Sequence, residues 1–331
     1  FDSAVALFEK AIALETDPAK RAWARFHYAL SFANYDEIKA RDVLKEAVDA
    51  TRLCPVLAAR VFGLLGTVSA ATGKVDEGRV YVEKAIAAAH AADQTELRLR
   101  ASVQLAVVCL EAGDHKRAKT LARDVAAAAE NAGYYRLAAM AYSILTLIAC
   151  DVEDDISAVL WLCRQWGDAS TKAGYRVGQI DSLADTYLAE CERGSTRGIE
   201  AALERLAAFD VRMSKTATRC MLPANALRAA WSGDFRAAYE CVAGSAQEQT
   251  TPQRRAERWA EVAVYAGACG MREESSDAIR ASHKALNGED AWEPPASARA
   301  MRTLLLSSIA YLLLGQTEAA HRDLRKVETE R

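Results

Sequence analysis

The residues best suited to acid–base or metal chemistry are five histidines, and they are scattered: His27, His90, His115, His283 and His321. None pairs with another, and the HExxH, GxSxG and GxxxxGK[ST] motifs are absent. The segment TGKVDEG contains Gly-Lys but lacks the upstream Gly and the following Ser or Thr of a phosphate-binding loop. The sequence therefore predicts a non-catalytic protein with no cofactor and no bound metal.

Two charged clusters have simpler interpretations than a binding site. The acidic residues Asp151, Glu153, Asp154 and Asp155 lack the alternating oxygen spacing and central Gly of a calcium loop, so they predict a turn whose carboxylates cap the next helix. The basic stretch QRRAER, residues 253–258, lies beside acidic residues and predicts a salt-bridged helix surface.

Charge and cysteine usage indicate a soluble cytoplasmic protein. The net charge is -3 and the pI is near 6.1, which leaves no global field to attract nucleic acid or an anionic membrane. The eight cysteines contain no C-x-x-C pair and are expected to be small buried hydrophobic residues in a reducing compartment. The most apolar run, 304–314, is shorter than the ~20 residues of a membrane span.

Composition favours a helical solenoid. A chain of 331 residues is too long for one ordinary core, and it is 51% hydrophobic with only 6 prolines. Its abundant Ala, Leu, Glu and Arg are residues that enter helices at low cost. The sequence predicts a nearly all-α protein.

Three segments share one layout of a helix, a Gly-polar turn and a second helix: LGTVSAATGKVDEGRVYVEKAIAAA from Leu65, LAVVCLEAGDHKRAKTLARDVAAAA from Leu105, and NALRAAWSGDFRAAYECVAGSA from Asn225. Gly73, Gly113 and Gly233 are placed to end the first helix in a left-handed conformation. Small residues recur seven positions before and five positions after each turn, where the two helices are expected to cross closely: Gly66 and Gly78, Ala106 and Ala118, Ala226 and Ala238.

The turns continue at intervals near 40 residues along the chain. They are predicted near Tyr35, Gly73, Gly113, Glu153, Gly194, Gly233, Gly270 and Gly315. The last interval is longer because NGEDAWEPPASA contains Gly288, Pro294 and Pro295, which predict a loop at 287–298 before the last repeat.

This pattern resembles the tetratricopeptide repeat (TPR). Its best single match consists of Phe62, Leu65, Gly66, Gly73, Gly78 and Ala85. The long period is similar to that in the sensor arm of MalT-like, LuxR-type bacterial transcriptional regulators. The resemblance implies a right-handed α-solenoid of about eight antiparallel helix pairs, forming a single domain over residues 1–331.

The first residues match the second helix of a repeat. FDSAVALFEKAIALE begins with an aromatic directly after the expected turn position, and its first helix is missing. We therefore expect the chain to be a fragment of a larger protein.

Aromatic residues concentrate in the middle of the chain: Tyr134, Tyr135, Tyr142, Trp161, Trp166, Tyr175 and Tyr187. Large rings normally fill the space between helices, so core packing is predicted for them. GYYR at 133–136 and GYR at 174–176 recur at the repeat interval, which favours structural turns over a unique site.

The resemblance implies that first helices line a concave groove, which would bind a protein or peptide partner or a small effector. The predicted groove residues are Arg60, Arg100, Val103, Gln104, Val107, Ile144, Leu147, Asp181, Asp185 and Leu188. The mix of apolar and charged groups is typical of a binding cleft. The alternative, that the apolar members are buried core under tight curvature, stays open.

We expect the regulatory arm of a cytoplasmic bacterial transcriptional regulator, with no nucleic acid bound by this segment and no membrane association. A free-standing TPR adaptor that assembles a multiprotein complex is the alternative. The sequence does not choose between them, and it leaves the ligand and the oligomeric state open.

Overall fold

The structure is a computed structural model that describes residues 2–33, 36–246, 252–287 and 298–329. These residues form seventeen α-helices, two 3₁₀ turns, one π turn and no strand. The helices are α1 Asp2–Leu14, α2 Pro18–Phe32, α3 Glu37–Lys45, α4 Pro55–Ala71, α5 Val75–Ala91, α6 Thr95–Glu111, α7 His115–Asn131, α8 Tyr135–Ile148, α9 Ile156–Lys172, α10 Arg176–Arg193, α11 Thr196–Leu206, α12 Lys215–Trp231, α13 Phe235–Val242, α14 Pro252–Ala268, α15 Arg272–Asn287, α16 Ala298–Leu313 and α17 Thr317–Thr329. The turn near Tyr35 and the interior of the 287–298 loop lie outside the described residues.

The predicted all-α fold is confirmed, and its helices pack as consecutive pairs. The pairs α4/α5, α6/α7, α12/α13, α14/α15 and α16/α17 each form extensive contacts. First helices also contact the first helix of the next pair, as α4 contacts α6 and α14 contacts α16. The first helices α4 and α14 therefore each bury one side against their partner helix and another against the next pair.

The chain divides into two compact units. Unit 1 comprises Phe1–Leu145 and Gln165–Gly178, and unit 2 comprises Thr146–Arg164 and Gln179–Arg331. Unit 1 has an apolar core around Phe26, Leu44 and Leu65. Unit 2 has separate clusters around Tyr187 and around Val262 and Ile279. The single-domain organisation stays a prediction.

The turn glycines adopt the conformation that the sequence predicts. Gly113 has φ 77° and Gly233 has φ 82°, in the left-handed region that glycine enters at low cost. The next residue caps the second helix: the Asp114 carboxylate accepts from the Arg117 N–H at 3.1 Å, and the Asp234 carboxylate accepts from the Ala237 N–H at 3.0 Å. One Gly-Asp pair thus ends one helix and starts the next.

The close crossing of α4 and α5 is also confirmed. A Cβ atom added to Gly66 would lie 2.5 Å from Val82 Cγ2 and 2.9 Å from the Gly78 carbonyl oxygen, and one added to Gly78 would lie 2.6 Å from the Gly66 oxygen. The alanines at the equivalent crossings, Ala106 and Ala118, are fully buried. Small residues at this spacing let the two backbones approach.

The predicted turn near Glu153 forms without glycine. α8 continues into a π turn, Ala149–Glu153, and Asp154 takes the left-handed conformation with φ 51°. Asp is one of the few residues that tolerate this region. Asp155 then caps α9 by accepting from the Ala158 N–H at 2.9 Å, as predicted for the acidic cluster.

The aromatic prediction is correct only in part. Tyr142, Trp166 and Tyr187 are buried, whereas Trp161 is 56% exposed and Tyr134 is 36% exposed. Trp161 precedes the buried pair Leu162 and Cys163, so the ~100° rotation per residue leaves it on the outer side of α9. The repeated Gly-Tyr turns are confirmed, since Gly133 and Gly174 have φ 76° and 61°.

The first helix packs on α2 through Val5, Phe8 and Ile12, and the Phe8 and Tyr28 ring centroids are 5.7 Å apart. Among the eight cysteines, all of which are free thiols, Cys109, Cys163 and Cys191 are buried and the others are partly buried. Tyr135–Glu153 is the one stretch of described residues that is long and apolar enough to span a bilayer. Core helices of soluble proteins have the same composition, and 56% of its apolar window is buried.

Candidate functional site: a cavity lined by first helices

The predicted groove residues are divided between the two units. Unit 1 contains Arg60, Arg100, Val103, Gln104, Val107 and Ile144, and unit 2 contains Leu147, Asp181, Asp185 and Leu188. Whether any of them binds a ligand stays a prediction.

In unit 1 a carboxylate joins the two arginines. Arg60 Nη2 is 3.2 Å from Glu96 Oε2, and Arg100 Nη2 and Nε are 2.6 and 2.9 Å from Glu96 Oε1. Burial and the nearby Arg100 charge lower the pKa of Arg60, while Glu96 opposes that shift. The sequence did not single out Glu96, although its position four residues before Arg100 is the spacing of a helical ion pair.

Most of the other predicted residues of unit 1 are buried. Val103 is 0% exposed, Ile144 3% and Gln104 8%, whereas Val107 is only partly buried. The Gln104 amide occupies the space above Gly63, where an added Cβ would lie 2.0 Å from the amide oxygen. In unit 1 Val103, Gln104 and Ile144 are therefore interior side chains, and Gln104 fills the space between α4 and α6.

In unit 2 Asp181 is buried beside the start of α12. Its carboxylate accepts a hydrogen bond from the Ser214 hydroxyl, and Ser214 Oγ accepts from the Ala217 N–H at 3.1 Å. Burial raises the pKa of Asp181 to about 6, against the opposing effect of the hydrogen bonds from Ser214 and Ala217. Asp181 therefore ties α10 to the N-terminus of α12.

The other three predicted residues of unit 2 meet at one cavity of about 160 Å³. Leu147 comes from α8, and Asp185 and Leu188 come from α10. The remaining lining residues are Thr146, Cys150, Asp151, Val159, Ala189, Glu192, Thr216, Arg219, Cys220, Pro223 and Arg258. The first helices α8, α10, α12 and α14 supply most of this wall, and α9 adds Val159.

Asp181 and several residues of the cavity wall occupy equivalent positions in the repeat register. Asp181 and Asp185 lie thirteen and nine residues before their turn glycine, Gly194. Cys220 and Pro223 lie thirteen and ten residues before Gly233, at positions equivalent to Arg100 and Val103 before Gly113. Extending the predicted register to α12 would therefore have found both.

A thiol–carboxylate contact lies on the cavity wall. Cys220 Sγ donates to Asp185 Oδ1 at 3.0 Å. Behind the wall, burial raises the pKa of the Cys163 thiol well above its ordinary value, and the Asp185 charge adds to the effect. Cys163 is therefore a neutral, buried thiol and not a reactive thiolate.

A buried charge cluster borders the cavity at α14. Arg302 Nη2 lies 2.9 Å from Glu192 Oε1, Arg302 Nε lies 3.3 Å from Glu257 Oε1, and Arg258 pairs with Glu261. Glu257 is 5% exposed and Glu261 8%. The salt bridge predicted at 253–258 is present at Arg258, but Glu257 and Arg258 do not lie on an open helix surface, because α16 and Arg302 pack against this side of α14.

The charges in this cluster perturb one another. Burial works against the charged form of Arg302, but the carboxylates of Glu192, Glu257 and Glu261 together raise its pKa. Burial, together with the Glu257 charge, raises the pKa of Glu261 despite the neighbouring Arg258. The cluster holds three carboxylates and two guanidinium groups. Removal of either guanidinium group therefore leaves buried carboxylate charge without a partner.

Two donors at the cavity have no acceptor in the described part of the chain. Arg219, which is partly buried, makes no hydrogen bond or ion pair there. Arg258 pairs through Nη1, but its buried Nε has no hydrogen-bond partner. Buried polar groups are normally satisfied, so the buried Arg258 Nε indicates where a ligand would bind, and Arg219 adds a second, partly buried cation on the same wall.

A second, wider groove of about 900 Å³ lies between α11 and the α12/α13 pair. Trp231 is 67% exposed on its wall, and its Nε1–H donates to the Cys191 carbonyl oxygen at 3.0 Å. The described residues contain no group of three His, Cys, Asp or Glu side chains that could hold a metal ion.

No protein-family model matches the sequence, and no curated protein sequence matches it. A solved structure, the apo form of the quorum sensor NprR from B. thuringiensis, is similar to this chain with a TM-score of 0.54 and 12% sequence identity. The match covers 95% of this chain and 99% of that chain. At this identity the likeness shows the fold alone, and that fold is the all-α, TPR-like stack of helix pairs that the repeats predict.

Proposed function

We propose that this chain is the non-catalytic, effector-sensing arm of a cytoplasmic bacterial transcriptional regulator, and that its effector binds in the cavity of unit 2. The observation that carries the proposal is the convergence of Leu147, Asp185 and Leu188, three residues that the repeat register assigns to a ligand groove, on one cavity. The fold shared with a quorum sensor is consistent with a sensory role.

The size of the cavity favours a small effector over a folded partner. About 160 Å³ is comparable with the ~150 Å³ cavity that holds a benzene molecule in an engineered protein. Successive helix pairs contribute to the wall, so an occupant contacts several of them at once. A ligand that fits one arrangement of these helices better than another shifts the population toward it, which is what a sensor needs.

The experiment that tests this function fills the cavity. Leu188→Trp places an indole where the effector would lie, and Leu203→Trp, at the wider groove, serves as a control. The small-molecule fraction of a bacterial lysate should raise the Tm of the wild type and of Leu203→Trp but not that of Leu188→Trp. In the source bacterium, a chromosomal Leu188→Trp change should reproduce part of the transcript changes of a deletion strain. An equal Tm rise in all three proteins, or no rise in any, contradicts the proposal.

A scaffold is the second candidate function, and the wider groove is the observation that favours it. Trp231 is a large exposed aromatic, a residue type that anchors many protein interfaces. If a folded protein binds the wild type and Leu188→Trp equally but loses affinity for Trp231→Ala, the chain is an adaptor and the sensor proposal is wrong.

A further inference from the structure

The hydrogen-bonding groups around the cavity in unit 2 are unbalanced. The carboxylates of its wall are engaged: Asp185 accepts from Cys220, Glu192 accepts from Arg302, and Asp151 also makes a polar or electrostatic contact. Its strongest donors are not all engaged, since Arg219 and Arg258 Nε have no acceptor among the described residues. A ligand in the cavity therefore meets arginine N–H donors that have no acceptor among the described residues.

We propose that the cavity binds a small organic anion whose carboxylate accepts hydrogen bonds from Arg219 and Arg258. The proposal rests on the proposed function and names the chemical class of its effector. A guanidinium group presents planar, charged N–H donors that match a carboxylate, and such charge-assisted bonds are about twice as strong as neutral ones. The apolar part of the ligand lies against Leu147, Leu188 and Val159.

The two arginines contribute differently. Arg258 is held in place by Glu261 and its side chain is only 13% exposed, so its Nε–H is a pre-positioned donor. Arg219 has no such partner, so its side chain is available to follow the ligand. Because the charge of Arg258 is already balanced by Glu261, Arg219 supplies the positive charge that selects an anion over a neutral molecule of the same shape.

Two native cysteines allow ligand binding in the cavity to be measured by thiol labelling. Cys150 and Cys220 line it, and Cys54 in unit 1 is a partly buried reference thiol. We would label the full chain with methyl methanethiosulfonate and measure the labelling rate at each cysteine by peptide mass spectrometry. Pentanoate and its neutral isostere pentanamide are the probes.

Pentanoate should slow the labelling of Cys150 and Cys220 but not of Cys54, and pentanamide should protect at least tenfold less well. Arg219→Gln should raise the half-protecting pentanoate concentration about tenfold or more, the scale of one charge-assisted hydrogen bond. Arg197→Gln removes the same charge from an exposed site on α11 and should leave protection unchanged. Arg258→Lys keeps the charge beside Glu261 but loses the Nε donor, so it should weaken protection while the protein stays folded.

Two results would overturn the proposal. If pentanamide protects as well as pentanoate, and Leu188→Trp abolishes both effects, the cavity binds small molecules without selecting an anion, and the sensor function survives. If neither probe changes labelling at millimolar concentration, and filling the cavity in Leu188→Trp leaves the thiol reactivity as it was, the cavity does not admit small molecules and both proposals fail.

Discussion

Ser214 donates a hydrogen bond to the Asp181 carboxylate across 33 residues of sequence, and both side chains are buried. The same Ser214 oxygen accepts from the backbone at the start of α12. One hydroxyl therefore caps a helix and satisfies a buried carboxylate on α10. Because a buried charge is costly even when it is hydrogen-bonded, this link makes stability depend on pH.

Asp181→Asn should stabilise the protein at neutral pH. The folded state raises the pKa of Asp181 from 3.8 to about 6, so the folded protein holds this proton more tightly than the unfolded chain. The contribution of Asp181 to the free energy of unfolding is thus highest below pH 4 and is lost as the pH rises to about 6. The asparagine side chain stays neutral at every pH. Asp181→Asn should therefore raise the free energy of unfolding by about 1 to 3 kcal/mol at pH 7 and by almost nothing at pH 4.

Urea unfolding of the wild type and Asp181→Asn at pH 4, 5, 6 and 7 measures this difference. Asp168→Asn, at an exposed position on α9, is the matched control and should follow the wild type at every pH. A stability difference between wild type and Asp181→Asn that does not vary with pH would show that the carboxylate is ionised in the folded protein at pH 4.

Arg302→Gln should destabilise the protein strongly. It leaves Glu192, Glu257 and Glu261 with Arg258 as their only cation in the cluster, and removing one partner of a buried ion pair typically costs 3–5 kcal/mol, so we expect a loss of about that size. The loss of stability should be smaller at pH 5 than at pH 8, because burial raises the pKa of Glu261 and this carboxylate then takes up a proton more readily.

Arg280→Gln is the control for this change. Arg280 pairs with Asp277 three residues away, and both side chains are mostly exposed, so this pair should contribute little or nothing measurable. Calorimetric Tm values at both pH values test the contrast. A similar Tm for the two variants would mean that solvent reaches the Arg302 cluster freely.

The repeats could be predicted from the sequence because each turn leaves a local signal. Gly113 and Asp114 are needed together, one for its left-handed φ and the other for its capping carboxylate, and no long-range information is required to recognise them. Asp154 adopts the same turn with a weaker signal, since aspartate is only tolerated there. The turn near Glu153 therefore forms without glycine, after a π turn that ends α8.

The charge cluster and the unpaired cavity donors could not be predicted in this way. Arg302 meets Glu192 across 110 residues of sequence, and nothing in the local pattern of α16 indicates that it covers the charged side of α14. The 253–258 stretch predicted a salt-bridged helix surface because charged residues are mostly exposed. Which charged side chains are buried depends on how one helix pair stacks on the next, and this stacking leaves no local signal in the sequence.

Replacing Gly66 or Gly73 with alanine should destabilise the protein, but for different physical reasons. Gly66→Ala forces a methyl group into Val82 and the Gly78 backbone, so overpacking should cost about 1–3 kcal/mol or more. A Cβ at Gly73 meets no atom within 4 Å, but φ is 81°, so only backbone strain of about 1–2 kcal/mol is expected. Gly244→Ala has neither problem and should be nearly neutral. Chemical denaturation should rank the three in this order, and equal losses at Gly66 and Gly73 would mean that the α4/α5 crossing can relax.

Val103 and Leu305 occupy the same register, ten residues before Gly113 and Gly315, yet Val103 is 0% exposed and Leu305 is 41% exposed. The equivalent Ala260 is also fully buried, and its helix α14 contacts the next first helix, α16. Among the described residues, α16 is the final first helix of a pair, and no later first helix covers Leu305 there.

Val103→Ala should therefore lower the free energy of unfolding by about 2–3 kcal/mol, whereas Leu305→Ala should lower it by less than about 1 kcal/mol. Urea denaturation at several protein concentrations tests both. A Leu305→Ala loss that equals the Val103→Ala loss and grows with protein concentration would show that a second copy of the chain covers this face.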